Sequence, residues 1–166
     1  DGINLQSGIY SIVVALVFIF LQYETLFFIS LLIPLFLFLY LNKKNKSFLG
    51  NSGSYLLPFI YSYFFIKFYN YDNNFHADLI VVVMIIPGID LIRLFFLRIL
   101  NKRNPFSADN NHLHHILLKK VGYTQTLYAI QGAIIIPIVF GLIINNYLFS
   151  LILAFLIYLY LFFKNN

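Results

Sequence analysis

The chain has 166 residues, 61% of them hydrophobic and only 10% charged, with a mean hydropathy of +0.83. Soluble domains average roughly 45–50% apolar and about 25% charged residues. A soluble globule, a disordered chain and a collagen-like fibre are therefore excluded, and a polytopic membrane protein remains. The absence of cysteine excludes a disulfide framework, a thiolate nucleophile and any thiolate-held metal; histidine and carboxylate sites survive.

A bilayer-crossing helix needs about 17–25 mostly apolar residues. The chain opens on Asp1-Gly2 without an initiator methionine or a signal peptide and enters an apolar run at once, which suggests a longer protein whose N-terminal part precedes it. Six spans are predicted in order, near Ser7–Tyr23, Thr25–Leu41, Tyr55–Tyr69, Leu79–Leu100, Thr124–Ile144 and Tyr147–Phe163. Glu24 alone separates the first pair and Asn145-Asn146 the last, so both pairs read as tight helical hairpins. The runs lack period-two alternation, which argues against a β-barrel. The predicted class is all-α: a polytopic transmembrane helical bundle of about six spans, with no β-sheet domain, forming a single transmembrane domain over 1–166.

Charge supplies the orientation. Lys43, Lys44 and Lys46 follow the second span; Arg93, Arg98, Lys102, Arg103, Lys119 and Lys120 surround the connection after the fourth; Lys164 follows the sixth. Of the 11 basic residues only Lys67 approaches the other side, where Glu24, Asp72 and Asp78 also fall. The positive-inside rule makes the basic side cytoplasmic, so the loops at 42–54 and 101–122 face the cytoplasm. The net charge of +5 is then a topology signal, and no nucleic-acid partner is expected.

Four polar clusters fall on that face. Asp1-Gly2-Ile3-Asn4 could bind a cation or a sugar hydroxyl, or simply cap a helix. Gly50-Asn51-Ser52-Gly53-Ser54 exposes backbone N–H groups that can cradle phosphate before a helix, or forms a turn with a serine N-cap. Pro87-Gly88-Ile89-Asp90 places an ionisable residue in a span, a functional-site hypothesis by default. Arg93 lies three positions on, so a structural ion pair is the competing reading. Last comes Pro105-Phe106-Ser107-Ala108-Asp109-Asn110-Asn111-His112-Leu113-His114-His115. Ser107 or Asp109 can cap a short helix there. On that helix His112 and His115 share a face while His114 points elsewhere. An anion held by imidazoles and the helix dipole, a zinc site and a solvated loop all stay open. A transporter or metal permease is disfavoured, because apart from Asp90 the spans hold few polar groups to line a path.

In this order and spacing the clusters resemble the polyprenyl-phosphate N-acetylhexosamine-1-phosphate transferases. Asp1-Gly2-Ile3-Asn4 is similar to the family's Asp-Gly-x-Asn segment, and Gly50–Ser54 to its Gly-Asp-Ser/Thr-Gly-Ser loop. Pro87 and Asp90 resemble a Pro-x-x-Asp element. Pro105-Phe106, Asp109 and His112–His115 resemble the Pro-Phe…Asp-x-x-His-x-His-His loop, the most specific of the four. Together they span essentially the whole chain, which corresponds to the C-terminal half of the family.

The resemblance implies transfer of a sugar-1-phosphate from a UDP-N-acetylhexosamine to undecaprenyl phosphate, with Mg²⁺ as cofactor, at the cytoplasmic face of the bacterial inner membrane. The product would start a cell-envelope glycan such as a peptidoglycan, lipopolysaccharide or teichoic-acid unit. Phosphoryl transfer is mostly positioning and charge neutralisation, so backbone N–H, basic and metal groups suffice. By resemblance Asp1 and Asp90 are catalytic. Asn4, Gly50, Ser52, Gly53, Asp109, His112, His114 and His115 bind substrate, with the histidine loop on the nucleotide-sugar. Asn51 stands at the metal position, where the family has an aspartate; it offers one neutral oxygen where Mg²⁺ favours carboxylates. The paired aspartates of the family lie upstream of Asp1, so the chain is expected to be inactive alone. Family members often pair, which adds a homodimer to the implied partners. The alternative reading is a non-catalytic membrane relative that binds lipid or nucleotide after losing the metal aspartate.

Overall fold

The apolar runs fold as helices in the computed structural model, which describes residues 3–107 and 111–165. Those residues contain no strand. Their order is α1 (Gln6–Phe20), α2 (Thr25–Lys43), α3 (Gly50–Tyr71), α4 (Ala77–Leu100), α5 (Leu113–Val121), α6 (Tyr123–Ile144) and α7 (Tyr147–Asn165). Helix α2, α4, α6 and α7 are each long and apolar enough to cross a bilayer. The chain is a helical membrane protein, with four such helices among the described residues against the six anticipated. Two expected spans fall short for different reasons. Helix α1 has 15 residues because the chain turns at Leu21–Tyr23 instead of continuing. Helix α3 has 22 residues, but Gly50–Ser54 form its first turn and Lys67 and Asn70 its last, so its apolar stretch is interrupted at both ends.

Several helix ends close the same way. After α1, Gln22 takes a left-handed conformation (φ 61°), its N–H donates to the Ile19 carbonyl, and the Tyr23 N–H donates to that of Phe18. Asn45 (φ 56°) and Lys102 (φ 54°) repeat the pattern after α2 and α4. This double bond satisfies the last carbonyls of a helix and reverses the chain sharply.

The chain divides into two compact units, one ending at His76 and the other beginning at Ala77. The first unit has an aromatic interior. Phe18 stacks on Phe28 with ring centroids 4.4 Å apart and planes 4° from parallel, and meets Phe65 at 4.8 Å. Phe64 packs on Phe28 at 5.0 Å. These rings bring α3 onto α1 and α2, each pair adding about 0.5–1.5 kcal/mol beyond its buried area. The buried Tyr61 hydroxyl donates to the Ser11 carbonyl at 2.8 Å. At the far end Lys67 pairs with Glu24 at 2.6 Å, which accounts for the one basic residue on the wrong side of the charge map. Tyr23 donates a hydrogen bond to Asp72, and this bond, with the Asn74 N–H, holds the Asp72 carboxyl below its usual range.

In the second unit α4, α6 and α7 pack together and α5 lies against α6 and α7. Gly141 sets the α6–α7 hairpin: a Cβ there would fall 2.8 Å from the buried Ser150 hydroxyl and 3.1 Å from Tyr147. Asn145, left-handed at φ 53°, makes the turn.

Candidate functional site

Asp90 lies on α4 with 8% of its surface exposed. A lone carboxylate so placed would lose its proton-free form or unfold the site, so it must be paired and hydrogen-bonded. Both needs are met. Arg93 Nη2 donates to Oδ1 at 2.8 Å, one helical turn along the same face. The Tyr158 hydroxyl, from α7, donates to Oδ1 at 3.0 Å. His112 Nδ1 lies 2.8 Å from Oδ2. The Leu113 N–H straddles both oxygens at 3.2 and 3.3 Å.

Arg93 is equally committed. Its Nε donates to the Tyr158 hydroxyl at 2.8 Å and its Nη2 to the Asn111 carbonyl at 2.6 Å. The guanidinium lies 4.9 Å over the Phe162 ring. The ion pair anticipated from the spacing is therefore present, and it is also the anchor of the histidine segment.

Helix α5 has nine residues, fewer than an isolated helix needs in water. It persists through tertiary contacts. Leu113 and Leu117 are buried, Lys119 and Lys120 occupy its last turn, and Asp90 sits at its N-terminus, each charge complementing the helix dipole. The cap anticipated from Ser107 or Asp109 is thus supplied by a different helix. The Ser107 hydroxyl donates instead to the Asn104 carbonyl at 2.8 Å; Asp109 lies outside the described residues. Because the Asp90 carboxylate already occupies the α5 N-terminus, a bound anion would have to meet the imidazoles themselves.

The three imidazoles cluster more closely than helical spacing implies. His112 and His114 stack with centroids 5.4 Å apart and planes 7° from parallel. His114 and His115 stand 4.2 Å apart, His112 and His115 6.5 Å. His112 is the extended N-cap (ψ 150°), not a helical residue, and so its ring reaches His114. Burial, then the neighbouring His115 and His112, push the His114 imidazole down to about 4. Its Nε2 is buried without a hydrogen-bond partner among the described residues. Earlier in the same connection the Pro105 carbonyl accepts from Arg98 Nη1 at 2.7 Å.

The first unit holds the other predicted residues. Buried Asn42, at the end of α2, accepts the Leu5 N–H at 2.6 Å and donates to the Ser47 carbonyl at 2.8 Å. Asn4 donates to the side chain of Asn45. The segment at Ile3–Leu5 is thereby fastened to the α2–α3 connection. The glycine-serine stretch is the first turn of α3, not a loop: Gly50 is left-handed (φ 62°), and the Ser54 hydroxyl donates back to the Gly50 carbonyl at 2.7 Å. Asn51 and Ser52 are exposed, while Gly53 approaches the Leu49 side chain, which a Cβ would meet at 2.7 Å. Asp1 lies outside the described residues.

Two participants were not legible in the sequence. Tyr158 is one of 13 tyrosines in an apolar run, with no local signal. Asn42 reads as the start of a loop, although an asparagine at the end of an apolar run is a polar group that burial would have to satisfy.

The described residues do not by themselves fit Mg²⁺. Both Asp90 oxygens are taken by N–H and O–H donors, Asn51 is neutral, and no group of three or more His, Asp or Glu among the described residues could hold a metal ion.

An undecaprenyl-phosphate alpha-N-acetylglucosaminyl 1-phosphate transferase of Thermotoga maritima is 35% identical over 82 residues, 49% of this chain and 27% of that protein. The chain is similar to these transferases over that stretch. Enzymes of the same name from Yersinia pestis and Escherichia coli K12 are 29% and 24% identical over 51% of the chain and 23% of their own length. The aligned part thus spans about a quarter of the curated relatives it matches. No family model and no solved structure matches the chain. The transferase resemblance carried by the polar motifs thus has support from aligned sequence, which falls over about half the chain.

Proposed function

We propose that the protein transfers N-acetylhexosamine-1-phosphate from a UDP-sugar to undecaprenyl phosphate at the cytoplasmic face of the bacterial inner membrane. The observation that carries this reading is the docking of the histidine segment on Asp90, which joins two separate transferase-like motifs into one structure. A phosphate oxygen of the lipid attacks the sugar-linked phosphorus, the pyrophosphate bond breaks, and UMP leaves. The imidazoles of His112, His114 and His115 hold the nucleotide-sugar by N–H donation. Arg93 is spent on Asp90, Tyr158 and Asn111, so it supports the site instead of gripping substrate. Lys102, Arg103, Lys119 and Lys120 are exposed and raise the local concentration of an anionic donor.

Mg²⁺ belongs to the proposal as cofactor, with carboxylates beyond the described ones needed to hold it; bound there, it would neutralise charge on the diphosphate. Asp1 and the residues upstream of it are the source assigned here. The chain is accordingly proposed to act as part of a longer enzyme and to release no UMP alone.

UMP release from UDP-N-acetylglucosamine with undecaprenyl phosphate and Mg²⁺, measured on the full-length protein in membranes, tests this. Neutral, exposed Asn51 favours a second reading, a non-catalytic relative. Activity in the parent protein contradicts that reading; activity only after Asn51→Asp supports it.

A further inference from the structure

Asp90 and Arg93 could satisfy each other as an i, i+3 pair on one helix, yet the site recruits a third group from the end of the chain. The Tyr158 hydroxyl accepts from Arg93 Nε and donates to Asp90 Oδ1. Arginine has only donors and the carboxylate only acceptors, so the direction of both bonds is fixed. Tyr158 is 2% exposed, and one turn later Phe162 lies parallel to it at 6.4 Å and under the guanidinium. Helix α7 therefore supplies a back wall with a hydroxyl and a ring face, against which the Arg93–Asp90 pair has one arrangement. On its other side the same carboxylate holds His112 Nδ1 and the Leu113 N–H.

We infer that Tyr158 is a positioning residue, acting through Arg93 and Asp90 to set the His112 ring and the start of α5 for the nucleotide-sugar. The kinetic part rests on the transferase reading proposed above; the geometric part does not. Tyr158→Phe keeps the ring and removes the bridge, leaving an Arg93 donor and an Asp90 lone pair unpaired. Misplacement of a binding group by about 1 Å costs on the order of 100-fold. The full-length protein is therefore expected to lose about ten- to 100-fold in kcat/KM for the UDP-sugar, mainly as a raised KM. Its KM for undecaprenyl phosphate should hold. A merely structural role would lower the amount of active enzyme and move neither KM.

Histidine ¹⁵N resonances of the full-length protein in detergent form the second arm. His112 should show one Nδ1–H form in the parent protein and a mixture in Tyr158→Phe. Tyr160→Phe, an exposed site bonded to Lys164, is the control and should change neither reading. If Tyr158→Phe does not fold, Arg93→Lys, which lacks the planar fork that spans Asp90 and Tyr158, is expected to give the same donor-specific shift. Unchanged donor KM together with an unchanged His112 signal overturns the inference. A parent protein that releases no UMP overturns the transferase reading, and the ¹⁵N arm alone then decides whether Tyr158 sets His112.

Discussion

The two units solve burial by opposite means. The first fills its interior with Phe18, Phe28, Phe64, Phe65 and Phe68, whose ring contacts are many and individually modest. The second gathers one guanidinium, one phenol and one imidazole around the buried Asp90 carboxylate, joined by directed hydrogen bonds. Ring packing holds helices together without specifying anything beyond shape. A buried charge network is intolerant of change, because removing one member leaves the others desolvated and unpaired. That intolerance marks the second unit as the place where orientation matters.

Substitution can break the contrast. Asp90→Ala should have the largest effect, costing about 3–5 kcal/mol by stranding Arg93, read as a lowered unfolding midpoint in detergent. Leu57→Met, at a buried site in the first unit, should by comparison cost less than about 1.5 kcal/mol, as swaps of near-constant volume do. Equal losses at the two sites would dissolve the distinction. Next in size, His114→Ala or His115→Ala in the full-length protein should lower UMP release on the order of 100-fold while the unfolding midpoint holds. Unchanged turnover at normal expression refutes the assigned roles.

Acidity sharpens the same contrast more gently. The His114 imidazole is pushed down to about 4 from its ordinary 6.5. The unfolded chain therefore binds a proton below about 6.5 that the folded protein refuses until about 4. Stability from this group is fully present above pH 6.5 and is lost as pH falls through that window. His114→Gln should flatten the corresponding part of the midpoint-against-pH curve. The smallest effect is expected at the far end of the first unit. Glu24→Gln breaks a partly exposed pair and should leave both midpoint and turnover at parental values.

Much of the fold was legible because apolar runs of bilayer length can only be helices. The hairpin breaks at Glu24 and Asn145 and the presence of a short helix in the histidine segment also followed from local pattern. The shortened α1 did not, since Leu21 and Tyr23 carry the apolar run past a single Gln22 and only the reversal at that residue shows where the helix stops. At the site, Asp90, Arg93 and the histidines announced themselves as polar groups in apolar surroundings. Their connection did not: Asp90 caps a helix 22 residues away from it in sequence, and Tyr158 reaches them from 68 residues on. Residue type and spacing report chemistry within a turn or two; a cap supplied by another helix is visible only once the helices are packed.

The central claim is that Asp90 serves the proposed reaction through the histidine segment it holds. A double-mutant cycle on kcat/KM for the UDP-sugar, using Asp90→Asn, His112→Gln and the combination in the full-length protein, tests it most directly. The double variant should be no worse than the poorer single one, because either change already releases the ring from the carboxylate. Losses that simply multiply would show that Asp90 and His112 act independently and would contradict the account.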